Sequence, residues 1–575
     1  MQHPNRRRWL SSLTIAVLCS AGLSAQQDLR THCEESGFTE YTPYENQQEY
    51  LLALQGTTME MKTGVYGETW LGREMPYLVY SRPTVTQPWE AMALGKPIIL
   101  FQGNVHGGER TLRESLLILS RDLATPGTQA NAWLDDLTII IVPQVNPDGF
   151  GDGQRSTRGN SRGIDLNRDY MKLEHPEIAS LVQLYAQWRP HLIIDGHNGG
   201  ARPYNINYIT SGNAAPDQTL IDLCNMEIFP LVRQRIEEND MKAFYYPGGN
   251  AEFWQGAPTY PRIGMSYACL ANALGITFES PGQPIDVGVP AGVVSFKAVL
   301  EYCAVNSASV LATVDAARRK TIALGEKGEG DVMVDMEVTD QDYTVSYEIR
   351  DGEGYRTIEN GKLRTKPVIT KTRPRPYAYI LPREAQETVA LLRRHDITVE
   401  MLEVATELEV QAYVAGAIDY VREYDHNAAV TVEVAEVVTL TRSFPKQSYV
   451  VPTGQMMGRV VTYLLEPETD DNVIRWNTMD ALLPQTQVGA PVTEAAARGR
   501  RGGQGNQRGG GVRGRGQRGQ AQRGQRGQRG QGRRGGQRGG RGGFRGGRGG
   551  GRETRAILPI YKLMTPTPLP TKMVR

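Results

Sequence analysis

The sequence predicts an α/β fold for the first half of the chain, on three observations. Apolar runs of strand length recur at 97–101, 192–194 and 275–278. After the first run, Leu112, Leu116, Leu119 and Leu123 repeat at helical spacing. Polar residues suited to metal binding or proton transfer stand just past each run: His106 and Glu109, then His197, then Glu279. Open α/β sheets bind ligands at such strand ends.

The chain has 575 residues, so more than one domain is expected. Residues 1–25 read as an export signal: Arg6, Arg7 and Arg8, an apolar core at 13–18, then Leu23, Ser24 and Ala25. That core is too short to span a bilayer, and no later segment reads as long and apolar enough. The mature chain is therefore expected to be soluble and exported, periplasmic or extracellular, with no transmembrane segment. Cys33, Cys224, Cys269 and Cys303 remain after removal of the signal. They allow up to two disulfides in three connectivities, although Cys269 and Cys303 lie in apolar stretches where buried thiols are equally at home.

Five segments carry chemistry: His106-Gly-Gly-Glu109, Asn146-Pro-Asp-Gly-Phe150, the run RGNSRGIDLNR at 158–168, Asp195-Gly-His197 and Thr277-Phe-Glu279. A catalytic zinc keeps three nitrogen, oxygen or sulfur ligands and one open position. His106 and Glu109 are three residues apart, close enough to face one point, and His197 completes two imidazoles and a carboxylate. Glu279 ends a buried run, where a carboxylate is costly unless paired or functional. It suits a general base that takes a proton from water and returns it to a leaving amine. Arg158 and Arg168, with Asn167 beside the latter, suit recognition of a carboxylate and stabilisation of an oxyanion. Singly, each feature has an ordinary explanation: a chance H-x-x-E, a capping histidine, an ion-paired strand-end glutamate, a solvated basic loop.

Together, HGGE, NPDGF, RGNSRGIDLNR, DGH and TFES resemble the zinc carboxypeptidase family typified by the digestive carboxypeptidases. The stretch ETWLGREMPYLVY at 68–80 is similar to the opening of that domain. The resemblance covers about residues 36–315 and implies a three-layer α/β/α catalytic domain on a mixed, mostly parallel sheet. It implies Zn2+ held by His106, Glu109 and His197, with Glu279 as general base. It further implies that Arg158 helps polarise the scissile carbonyl, that Asn167 and Arg168 hold the substrate's terminal carboxylate, and that Asp165 orients the first histidine. The activity implied is a zinc metallocarboxypeptidase acting on peptide or protein C-termini. A cell-wall peptide amidase of the same family is the alternative with the same chemistry. Glu109 to His197 is shorter than in the digestive enzymes, which implies trimmed loops and a more open cleft. The family's mobile capping tyrosine has two candidates, Tyr260 and Tyr267, with nothing to choose between them.

After 316–320 the pattern changes to shorter segments. Residues 331–342 and 343–349 alternate like strands, and 377–381, 385–395 and 397–402 read as strand, helix, strand. Residues 445–482 resemble the accessory C-terminal region of some bacterial family members. A smaller α+β, β-rich accessory domain is therefore expected over 325–490, with His395 and His426 structural or solvated.

Residues 494–555 are expected to be a disordered Arg/Gly-rich insert. Between 498 and 552 there are 17 arginines, one aromatic (Phe544) and no acid or lysine. The chain's net charge of +1 hides an asymmetry. Without those arginines and the three of the signal, 44 basic residues face 63 acidic ones. Such a tract reads first as a repeat-expanded tether, which could fold back on the acidic body, and second as an arm for polyanions through counterion release and base stacking. An alternative of another class is therefore a non-catalytic, exported polyanion-binding protein using this arm. The chain is then expected to return at 556–575 with a final strand at 556–563, ended by Pro566, Pro568 and Pro570.

Overall fold

The computed structural model describes residues 29–150, 157–256, 258–423, 425–484 and 556–574. The expected export signal at 1–25 and the Arg/Gly-rich insert at 494–555 lie outside the described residues.

The first region is built on β1 (Met61–Glu68), β2 (Glu74–Tyr80), β3 (Ile98–Gly103), β4 (Thr138–Val142), β5 (Leu192–His197), β6 (Ile206–Ile209) and β7 (Ala243–Tyr245). After two short strands, β8 (Gly248–Gly249) and β9 (Phe253–Gln255), comes β10 (Leu274–Glu279). Eight of these form one sheet in the order β1-β2-β4-β3-β5-β10-β6-β7. The middle four, β4, β3, β5 and β10, are mutually parallel, and antiparallel pairs lie outside them. The expected mixed, mostly parallel sheet is thus observed.

Every residue of the four middle strands is buried, which is why they read as continuous apolar runs rather than alternating ones. Alternation still sorts their side chains onto two faces. Ile99, Phe101, Ile139, Ile141 and Ile194 join a core with Leu112, Leu116, Leu119 and Leu123 of helix α1 (Thr111–Ala124). Ile98, Leu100, Ile140 and Ile193 join the opposite core with Tyr185 and Trp188 of α2 (Pro176–Trp188) and Ala268 of α3 (Gly264–Leu270). Helices therefore cover both faces, giving three layers.

One helix departs from the expectation of no further long apolar segment. α4 (Ile285–Val305) is long and apolar enough to cross a membrane by length and composition. Two-thirds of that stretch is buried within the protein, where Ala291, Phe296 and Val299 join the α1 core. Its apolar character is accounted for by packing. α5 (Ser307–Lys327) follows and leads out of the region.

The second region contains β11 (Asp331–Thr339), β12 (Thr344–Asp351), β13 (Gly354–Arg364), β14 (Lys366–Pro374), β15 (Ala378–Leu381), helix α6 (Gln386–Arg394), β16 (Glu400–Leu402), β17 (Thr406–Glu423), β18 (His426–Phe444), β19 (Tyr449–Pro452), helix α7 (Gly458–Leu465), β20 (Ile557–Leu563) and β21 (Thr571–Met573). β11 pairs with β14, and the β12–β13 hairpin extends the β8–β9 pair. The remaining seven strands form a sheet in the order β18-β17-β20-β15-β19-β16-β21. Its buried face shares one core with the first region: Tyr379, Leu392, Val461 and Leu464 belong to the same cluster as Tyr185 and Trp188.

The returning chain differs from expectation in two ways. β20 is an interior strand, inserted between β17 and β15. The three prolines do not end the structure, because β21 follows them and pairs with β16. All four described cysteines are free and buried, so of the two readings left open the buried thiols are the one observed. His395 is buried against Tyr267 and the Met171 carbonyl.

β20 also brings a buried charge. Lys562 Nζ lies 2.8 Å from Glu466 Oε1, and Glu466 also accepts hydrogen bonds from Tyr379 and Tyr413. Removing one partner of such a pair leaves an uncompensated charge in a dry environment. Lys562→Ala should therefore destabilise the protein by about 3–5 kcal/mol, read as a lowered urea midpoint. An unchanged midpoint would mean that water reaches Glu466.

Candidate active site

The parallel strands β3, β5 and β10 are neighbours, and the candidate residues emerge from their C-terminal ends. His106 and Glu109 lie in the β3–α1 loop, while His197 and Glu279 are the last residues of β5 and β10. The β5–β10 register sets Glu279 directly beside His197.

The β3–α1 loop is shaped by Asn104, whose backbone adopts φ +57°, a conformation that asparagine tolerates better than most residues. Its Nδ2 donates to the carbonyls of His106, Gly107 and Glu109 at 2.9, 3.2 and 2.9 Å. The glycines of the motifs allow the loops to cross backbone against backbone. A Cβ on Gly107 would lie 2.1 Å from Gly149, one on Gly149 would lie 2.4 Å from the Gly159 carbonyl, and one on Gly159 would lie 2.5 Å from Gly163. These contacts hold the HGGE, NPDG and RGN segments together at one end of the sheet.

Three donor groups converge. Glu109 Oε2 lies 2.8 Å from His106 Nδ1 and 2.9 Å from His197 Nδ1, and the two Nδ1 atoms are 3.1 Å apart. One ligand atom from each residue falls within 4.8 Å of the others. Each imidazole has an aspartate beside it: His106 Nε2 donates to Asp165 Oδ1 at 2.9 Å, and His197 Nε2 lies 2.9 Å from Asp195 Oδ2. Burial would raise the Asp165 carboxyl, but the hydrogen bond and charge of His106 and the nearby Arg168 and Arg158 hold it well below the usual carboxylate range. Two imidazole nitrogens and one carboxylate oxygen, each ring fixed from behind, form a donor set that fits zinc.

Around these groups lies a cleft whose lining includes every residue named so far as a ligand or base, together with Arg158, Asn167 and Arg168. Arg158 is half-exposed and paired with Glu109 Oε1 at 3.1 Å and Asp165 Oδ2 at 3.0 Å. Asn167 is more committed than the sequence suggested: its Oδ1 accepts from the Gly264 amide at 2.9 Å, and its Nδ2 lies 3.3 Å from His197 Nε2. Arg168 Nη1 donates to the Asn167 carbonyl at 2.7 Å. Glu279 is 8% exposed. Burial pushes its carboxyl up to about 8 from an ordinary 4.5; His197 opposes this shift and Glu109 adds to it.

Several contributors escaped the sequence reading. Asp195 precedes His197 by two residues on one strand, a spacing that puts both on one face and was readable as a pair. Asn198 donates its backbone N–H to Glu109 Oε2 at 3.1 Å. Of the tyrosines, neither candidate lines the cleft. Tyr267 is buried with its hydroxyl on His395 at 2.9 Å, and Tyr260 lies under the Arg262 guanidinium. Tyr246 lines the cleft instead, and its phenol is raised chiefly by the Glu279 charge, with burial adding to it.

Residues 48–219 match the family described as zinc carboxypeptidase. Over that segment the chain is similar to the zinc carboxypeptidase family. The match contains His106, Glu109, Arg158, Asp165, Asn167, Arg168 and His197, while Glu279 lies beyond it. Carboxypeptidase 2 of Trichophyton rubrum is 24% identical over 446 residues, covering 70% of this chain and 77% of that protein. Among solved structures, a metallo-carboxypeptidase from Pseudomonas aeruginosa aligns with a TM-score of 0.37 at 20% identity, covering 47% of this chain and 71% of its own. A murein-tripeptide amidase from Escherichia coli O157 aligns with a TM-score of 0.28 at 18% identity, covering 41% and 91%.

The raised Glu279 carboxyl has a consequence for chelator-treated protein. Between about pH 4.5 and 8 the folded state keeps a proton there that the unfolded chain has lost, so stability falls as pH rises through this window. Glu279→Gln carries no such proton. Its stability relative to the parent should increase from pH 5 to pH 8 in urea unfolding; a constant difference would show that Glu279 is ionised throughout.

Proposed function

We propose that this protein is a zinc-dependent carboxypeptidase that hydrolyses C-terminal peptide bonds. The observation that carries the reading is the convergence of His106, Glu109 and His197 with Glu279 on the neighbouring strand. His106, Glu109 and His197 would hold the metal, which when bound supplies a Lewis acid for the scissile carbonyl and acidifies water.

The chain's own residues account for the remaining tasks. Glu279, on the floor of the cleft, takes the proton from the attacking water and delivers it to the leaving amine. A carboxyl raised towards neutrality suits both transfers. Arg158 presents its guanidinium at the cleft mouth, where negative charge develops on the carbonyl oxygen. Arg168 pairs with the substrate's terminal carboxylate, while Asn167, held by Gly264, sets the neighbouring wall. Asp165 and Asp195 keep the imidazoles oriented. Export, proposed from residues 1–25, places these peptides outside the cytoplasm.

Metal analysis of the purified protein should find zinc, and release of C-terminal residues should stop with chelator and return on adding zinc. Glu279→Gln should retain the metal and lose turnover by about 10²–10⁴-fold. A metal-free, chelator-insensitive activity would refute the proposal.

The wall beyond the charged groups is formed by Ile209, Ile263, Met265 and Thr277, none of which is charged. Peptides ending in Leu or Phe should therefore be cleaved faster, by kcat/KM, than those ending in Lys or Asp. A muropeptide included in the same panel tests the amidase alternative. Preference for the muropeptide, whose diamino acid carries an extra charged group, would favour that reading.

A further inference from the structure

We propose that the tip of the β17–β18 hairpin is a positioning element of the active site, in which Asp425 fixes the loop that carries Arg158 and Asp165. The hairpin belongs to the second region, far in sequence from the cleft. Its geometry is unusual for that sheet. Among the described residues, β17 pairs with β20 at Gln411, Ala412 and Val414, while its ladder with β18 continues to Glu423 opposite His426. Among the described residues the hairpin thus extends past its β20 neighbour over 416–423, roughly 26 Å at about 3.3 Å per residue.

The overrun ends on the catalytic loop. Asp425, in the turn at φ +55°, accepts a hydrogen bond from the backbone N–H of Asp165 through Oδ2 at 2.8 Å. Asp165 is where the site's supports meet. Its Oδ1 accepts from His106 Nε2 and the Asn167 amide, both at 2.9 Å, and its Oδ2 accepts from Arg158 Nε at 3.0 Å. Its backbone amide is held by the Asp425 carboxylate in a charge-assisted bond.

The tip is itself anchored. Glu423 pairs with Arg475, His426 donates to Asn477 Oδ1 at 2.5 Å, and Asn477 Nδ2 donates to the Ala428 carbonyl at 2.8 Å. The His426 ring meets Trp476 edge-on at 5.1 Å. Asp425 is therefore presented by a braced arm. Loss of its acceptor frees Asp165 to shift, and with it the carboxylate behind His106. Disturbing such outer groups costs about 10–100-fold in metal affinity or activity.

The inference rests on His106 being a metal ligand, so the test reads zinc directly. Zinc affinity is measured by competition with a chelating dye for the full chain, Asp425→Ala and Asp425→Asn, alongside kcat, KM and the urea midpoint. Asp425→Ala should bind zinc about 10-fold more weakly and lose kcat with KM nearly unchanged. Asn retains an acceptor oxygen and should recover both. Asp425→Ser, polar but too short to reach the amide, replaces alanine should alanine not fold. Unchanged zinc affinity and kcat in the alanine or serine variant would overturn the proposal, as would an asparagine variant impaired to the same degree. A parent protein that binds no zinc would instead overturn the reading of the site itself.

Discussion

Two imidazole nitrogens and a carboxylate oxygen are held 2.8–3.1 Å apart in a buried cleft, and the rest of the structure is arranged around that constraint. Rings placed so close have no reason to stay in one orientation unless each is gripped from behind. Asp165 and Asp195 supply those grips, from two different directions. Asp195 is carried by a strand, which fixes its place beside His197. Asp165 sits in a loop and depends on everything that holds the loop: glycines that let three segments cross, Arg158 on one side and an acceptor from the second region on the other. The difference between a strand-borne and a loop-borne support explains why one half of the site is self-sufficient and the other is braced.

The same logic accounts for the sheet. Neighbouring parallel strands release their ends at one edge, so three short apolar runs suffice to bring residues separated by more than 150 positions together. The strand interiors are apolar on both faces because helices cover both, and the polar residues accumulate where coverage stops. Glu279 is the extreme case, a carboxyl at the boundary between core and cleft, raised by burial and by its neighbour Glu109. Gly199 opposite it leaves the space: a Cβ there would lie 2.6 Å from Glu279 Oε2.

How much of this was legible depended on range. His106, Glu109, His197 and Glu279 were readable because each lies within a few residues of a strand end, and strand ends show in the apolar pattern. The helical repeat of Leu112, Leu116, Leu119 and Leu123 was readable for the same reason, and all four are fully buried. Asp195 was readable in principle from its spacing to His197. Asp425 was not, because it acts on a residue 260 positions away and a turn aspartate looks alike wherever it points. Tyr246 lies in a Tyr-Tyr-Pro-Gly-Gly stretch without periodicity, so nothing set it apart from Tyr260 or Tyr267. The order of the seven-stranded sheet was likewise beyond the sequence, since its strands range from three residues to nineteen and pair across long separations.

The interior place of β20 bears on how the protein is made. Until β20 leaves the ribosome, β17 and β15 lack the strand that pairs with both of them, and each keeps unpaired backbone groups along that edge. The nascent chain therefore cannot close its second sheet early, whatever its first region does. It must be shielded from neighbours that would fill the gap with their own strands. Completion of the second sheet is tied to synthesis of β20.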